Sequence, residues 1–195
     1  MTRRALRFVL AAAVLSMGAC GAEHAPPDRF TALPTACDLV SRQVTQQIVG
    51  GAAAEPALKT ASSDSCQWND RPDEVPDAPP QGVAPYQRDL SLAVFLHRRP
   101  EGQDQVGGTS LAERVFTDQR TARGLGEKIG GIGDEAWGRF DDRSGVLDLR
   151  VANITVELRY GGNGMSAHGA TGLGAETIRA SLTEAAKDVD RTLRR

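Results

Sequence analysis

Two spacings of apolar residues divide the chain. Between residues 87 and 98, Leu90, Leu92, Val94 and Leu96 alternate with Asp89, Ser91, Ala93, Phe95 and His97. That period of two predicts a strand with one buried face. The alternation returns at 145–151 with Leu147, Leu149 and Val151, and at 154–160 with Ile154, Val156, Leu158 and Tyr160. A strand over 134–140 and a short one around Cys66-Gln67-Trp68 complete five. Helical spacing marks three other stretches. Val40, Val44 and Ile48 repeat every fourth residue over 37–49, where Ser41 is placed to cap a turn and Gly50-Gly51 to stop the helix. Ser110 and Glu113 form a capping box for a helix to about Arg120, with Leu111, Ala112, Val115 and Phe116 on its buried side. Ile178, Leu182, Ala186, Val189 and Leu193 stripe a last helix over 175–193.

The segments between are polar, glycine-rich or proline-rich. Residues 71–86 hold Pro72, Pro76, Pro79, Pro80 and Pro85. A run so dense in proline is expected neither to pair in a sheet nor to wind, and reads as a long exposed hairpin loop. Residues 124–133 read as a glycine-rich connection, 141–145 as a turn and 161–174 as a loop. Ala152-Asn153 reads as a tight hairpin in which Asn takes the positive φ. The order is helix, two strands, helix, three strands, helix. Short connections pair neighbouring strands antiparallel, and amphipathic helices need a sheet to cover. The expectation is an α+β domain: an antiparallel sheet of about five strands covered by three amphipathic helices, with one disulfide.

The N-terminus changes the picture. Arg3, Arg4 and Arg7 precede a ten-residue apolar run from Phe8 to Met17, then Gly18-Ala19-Cys20. This is the layout of an export signal. It is too short to span a bilayer, which takes roughly 20 residues. Small residues ending in cysteine make it similar to a bacterial lipoprotein signal, with Met17 where such signals usually carry Leu. The expectation is a signal over 1–19, lipid attachment at Cys20, a flexible tether over 20–34 that includes three prolines and His24, and one extracytoplasmic domain over 35–195. Ordinary cleavage near Ala19 or Ala22 is the alternative. The expected location is the cell membrane, lipid-anchored and facing the extracytoplasmic side.

Composition then narrows the partners. The chain carries 23 Lys and Arg against 25 Asp and Glu, a formal charge of −2. Removing Arg3, Arg4 and Arg7 with the signal brings this to about −5. An acidic balance argues against nucleic acid and against electrostatic docking on anionic lipid. Membrane contact is left to the acyl chains, which hold firmly when there are several. Lysine occurs only at 59, 128 and 187, and this arginine, alanine and glycine bias suggests a high-GC bacterial genome. With Cys20 assigned to lipid, Cys37 and Cys66 remain, and in an oxidising compartment two cysteines are expected to pair. A redox pair or two metal ligands are the competing readings. They lack a Cys-x-x-Cys and a His at ligand spacing.

These residues resemble a family. Cys37-Asp-Leu-Val-Ser41, Ser65-Cys66-Gln-Trp68, Gly131-Ile-Gly-Asp-Glu-Ala136, and Leu149-Arg-Val-Ala-Asn153 before a strand, with a C-terminal helix, look like the small actinobacterial lipoproteins grouped as domain of unknown function 3558. The resemblance spans about residues 35–194. It implies an extracytoplasmic α+β domain held by lipid, and it brings no catalytic residues to carry over. The layout is also similar to extracellular sensor domains of some actinobacterial Ser/Thr kinases.

The remaining motifs fall short of the chemistry they suggest. Glycines 124, 126, 130, 131 and 133 lack the dinucleotide spacing and a Gly-Lys-Ser/Thr, and they precede a strand where a phosphate loop opens a helix. Gly164-Met-Ser166-Ala-His168 partly mimics a serine-hydrolase elbow, but His168 stands where the elbow needs Gly. His24, His97 and His168 are far apart, and Asp141-Asp142 lacks the alternating ligands of a calcium loop. Trp68 and Trp137 read as core or strand-face aromatics. No cofactor, metal site or catalytic residue is expected. The expected role is a non-catalytic binding or sensing module of the cell envelope, whose partner is an envelope protein or a small ligand. The alternatives are a carrier of lipid or another apolar ligand and, behind it, a hydrolase using Ser166 and His168.

Overall fold

A computed structural model describes residues 27–99, 101–102 and 106–195. The signal, Cys20 and His24 lie outside the described residues. The described residues form an α+β domain with three α-helices and an antiparallel sheet. A 3₁₀ turn (Ala36–Asp38) leads into α1 (Arg42–Val49), then β1 (Glu55–Lys59), β2 (Ser63–Asp70) and β3 (Ala84–Leu96). Next come α2 (Gly108–Arg123), β4 (Glu127–Lys128), β5 (Glu135–Phe140), β6 (Ser144–Val151), β7 (Ile154–Ser166), β8 (Gly169–Gly172) and α3 (Ala175–Leu193). Strands run β1-β2-β3-β7-β6-β5-β4 across the sheet, and β8 pairs with the far half of β7, beyond the end of β6.

The sheet has eight strands where the sequence pattern predicts about five. The additional strands have no alternating signature. All five residues of β1 are exposed and include Pro56, as suits an edge strand; its backbone pairs with β2, and Ser65 Oγ adds bonds to the Leu58 N–H and carbonyl. Residues 161–174, expected as loop, instead lengthen β7 and form β8 from glycine and other small residues. The proline-dense stretch also yields to the sheet at its end. Ala84 and Pro85 pair with Met165 and Gly164, and the register shifts between Pro85 and Gln87, so the imino residue sits at a bulge.

The alternation sends two sets of side chains to opposite faces. One set is apolar: Leu92, Leu158 and Leu147 stand in register across β3, β7 and β6, as do Val94, Val156 and Leu149. α3 lays Ile178, Leu182, Ala186 and Val189 on this face, and all four are buried. Gly145 permits the approach, because a Cβ there would stand 2.6 Å from Ile178 Cγ2. α1 follows the predicted turn-then-helix form. Ser41 Oγ accepts from Val44 N, and Gly50 closes the helix at φ 63°. Asp188 on α3 takes the Ser41 N–H at 2.7 Å, and Tyr160 donates its hydroxyl to the Ile48 carbonyl at 3.1 Å, so α1 is tied to both neighbours. These side chains form the core between the helices and the sheet.

α2 lies on the opposite face. It starts before the predicted capping box: Gly107 is its N-cap, and Ser110 is inside the helix. The orphan N–H of Gly108 is taken at 2.7 Å by Asp28 Oδ1, whose Oδ2 accepts from Arg99 N at 3.2 Å. A cap from so distant a residue leaves no local signature. Asp28 belongs to a stretch expected as tether. From there on the chain is a strap against the sheet end, with Phe30 and Leu33 packed on the core. Asn153, fully buried, fastens it: its Oδ1 accepts from Phe30 N at 3.0 Å, and its Nδ2 donates to Phe30 O and His97 O, each at 2.9 Å. In the hairpin that carries this residue, Ala152 holds the positive φ (51°) predicted for Asn153.

Candidate functional site

The face that carries α2 is polar because the other half of each alternation is polar. Trp137, Asp148, Glu157, Ala93 and Ser65 form one row across β5, β6, β7, β3 and β2. Arg139, Val146, Arg159, Ser91 and Gln67 form the next. α2 covers the first row in part. Arg123, at its end, places one guanidinium nitrogen 2.9 Å from Asp148 and 2.6 Å from Glu157, while Arg120 lies 4.3 Å from the Trp137 ring centre. Arg150 beside them meets Glu135 at 3.1 Å and Asp134 at 3.3 Å.

Burial of Asp148, with the Glu157 carboxylate across the strand pair and only partly offset by Arg123, pushes its carboxyl up to about 6. A carboxyl whose native pKa is raised holds its proton more tightly folded than unfolded. Its contribution to stability is therefore complete below about pH 4 and lost as pH rises through about 6. Relative to Asp148→Asn, the native protein is expected to gain about 1–1.5 kcal/mol between about pH 7.5 and about pH 5. Urea unfolding of both proteins at the two pH values measures this. An unchanged difference would show that Asp148 does not titrate in that window.

Beyond α2 the polar face is open. A cleft of about 430 Å³ is sunk into it, with Val146, Ser91 and Gly161 among its lining residues and Gln67, Asn69 and Ser144 supplying amides and hydroxyl. Arg71, Arg139 and Arg159 line it too, against Asp89 as the single carboxylate. A second hollow of about 190 Å³ shares Gln67, Ser91 and Arg159 with it. Asp89 Oδ2 accepts from Gln87 at 3.3 Å, whereas its buried Oδ1 receives no hydrogen bond and faces Arg71 across 3.5 Å. Arg159 is held by Glu157, and Arg139 by the Arg123 carbonyl at 3.2 Å. The cleft thus stands on strands whose register is fixed by the core behind them.

The residues singled out in the sequence are dispersed. Cys37 and Cys66 are bonded, with Cα atoms 5.1 Å apart, and staple the 3₁₀ turn to β2. Ser166 and His168 bracket the β7–β8 turn. The Ser166 hydroxyl donates to Gly169 O at 3.0 Å and accepts from the His168 backbone N–H at 3.2 Å, which makes it a turn brace. His97 is half-buried, its ring Nε2 2.9 Å from Thr155 Oγ1, and burial lowers its pKa. Trp68 is in the core. Asp141 accepts from Arg143 N at 3.0 Å and Ser144 N at 2.9 Å within its own turn. Among the described residues, no three His, Cys, Asp or Glu side chains converge as metal ligands, and no helix is long and apolar enough to cross a membrane.

The arginine cleft has no counterpart among the sequence motifs. Arg71, Arg139 and Arg159 are far apart along the chain and share no spacing pattern. The available signal lies in the polar members of the alternating strands, which share a face once the strands pair. No family model matches the chain, and no curated protein or solved structure is significantly similar to it.

Proposed function

We propose that this chain is an extracytoplasmic lipoprotein, anchored through acyl chains on Cys20, whose domain binds a ligand without transforming it. The resemblance to the actinobacterial lipoproteins of domain of unknown function 3558 is part of the same proposal. The observation that carries the binding reading is the uncovered half of the polar sheet face, a cleft of about 430 Å³ walled by polar and charged side chains on rigid strands. The catalytic alternative has weaker support, because the Ser166 hydroxyl is engaged in its own turn. The carrier alternative has weaker support where α3 covers the sheet, because Leu147, Leu158 and Leu182 are completely buried there; the hollow of about 400 Å³ beside α1 is lined by Arg42 and Thr45 as well as by Val40 and Trp68.

Native mass spectrometry of the protein extracted in detergent from its host's envelope tests both parts. The expected mass is a chain beginning at Cys20 with several acyl chains, plus a non-covalent ligand released unchanged on denaturation. An unmodified terminus elsewhere would remove the lipoprotein part. Turnover of an esterase, peptidase or glycosidase substrate that Ser166→Ala abolishes would remove the non-catalytic part.

A further inference from the structure

If the domain binds a ligand, the reading on which this inference rests, the lining of the cleft indicates the ligand's class. Its charged lining is three arginines to one aspartate, in a chain whose overall balance is acidic. The chain has few lysines, so the choice of arginine carries no information; the placement does. Arg139 pairs with Val146, and Val146 with Arg159, so these arginines share one row two strands apart. At the usual strand separation their Cα atoms are about 10 Å apart. Arg71 lies four residues beyond Gln67, which is in register with Ser91 of that row, so it stands about 13 Å along the strand direction. Arginine side chains are long enough for Arg139 and Arg159 to converge on one anionic group, whereas Arg71, displaced along the strand direction, calls for a second.

Each guanidinium also keeps donors to spare. A guanidinium has five N–H groups in a fork suited to carboxylate and phosphate oxygens. Arg139 spends one on the Arg123 carbonyl, Arg159 turns its Nε to Glu157, and Arg71 meets Asp89 only at 3.5 Å. The Arg71 and Arg159 side chains are 66% and 58% exposed, so those donors reach solvent. Gln67, Asn69 and Ser91 lie between the cationic walls. They supply neutral donors and acceptors to the middle of an extended ligand.

We propose that this cleft recognises an oligoanion, one of whose carboxylate or phosphate groups engages Arg139 and Arg159 while the rest extends toward Arg71. Isothermal titration of the soluble domain with triglutamate and, separately, with tripolyphosphate tests it and distinguishes the two anion sources. Saturable binding of either probe is expected. It should weaken at least tenfold in Arg139→Gln and in Arg159→Gln, yet hold in Arg114→Gln, an exposed α2 arginine outside the cleft, with all three variants melting like the parent. Failure of both probes to bind would overturn the proposal, as would binding that survives both cleft substitutions. A neutral or cationic ligand retained by the host-derived protein would overturn the oligoanion and leave the binding reading standing.

Discussion

Exchanging Cys37 and Cys66 together for serine is expected to cost the domain about 3–4 kcal/mol, read as a fall in the urea midpoint. The two cysteines are 29 residues apart, and opening a loop of that length restores roughly this much chain entropy to the unfolded state. The native state contributes as well. Cys66 is buried in β2, in register with Leu92 and two residues before the buried Trp68. A serine hydroxyl at that position needs a partner the core does not supply. Wild-type protein unfolded in dithiothreitol, which has no buried serine hydroxyl, should reproduce the loop-entropy share of the loss. A shift below about 1 kcal/mol would mean that the bond constrains little. Two reactive thiols at these positions in denatured, unreduced protein would mean it does not form.

Asn153→Ala is expected to be comparably damaging, by about 2–4 kcal/mol, because it leaves three part-buried backbone groups without their partner at once. The amide accepts from Phe30 N and donates to the carbonyls of Phe30 and His97. Alanine leaves all three without that partner. Asn153→Asp separates the amide's roles. It keeps an acceptor for Phe30 N but turns an oxygen toward two carbonyls, so it should be no better tolerated than alanine. Hydrogen exchange gives an independent reading: amides of residues 28–34 should lose protection in either variant before the sheet does. A cost below about 1 kcal/mol in both would show that the Asp28 bonds and the packing of Phe30 and Leu33 hold the strap without Asn153.

Legibility in the chain depends on whether a residue's side chain, or only its backbone, holds it in place. β3, β6, the first half of β7, and α3 bury alternate or every third to fourth side chain, and the apolar pattern reports them directly. β1, β8 and the second half of β7 are paired through the backbone and built from exposed or small residues, so periodicity is blind to them. The start of α2 departs from its local signal for a related reason. Ser110-Glu113 is a sound local cap, but Asp28 satisfies the helix earlier from a distant segment. The cleft is the least legible part, since its arginines meet only through strand order, with β7 between β3 and β6.

The strap has a further consequence, for altitude above the bilayer. If Cys20 carries the acyl chains, the eight steps to Asp28 reach no more than about 29 Å even when fully extended. The domain is then on a short leash, moored by the sheet end where β3 gives out and β7 begins. The Ser91–Arg159 row lies five residue pairs from that mooring, at Leu96 and Ile154, or about 17 Å further out. If the anchor is there, the cleft sits about 17 Å farther from the mooring than the strap does, and a ligand that reaches it meets the domain within a few nanometres of the lipid surface.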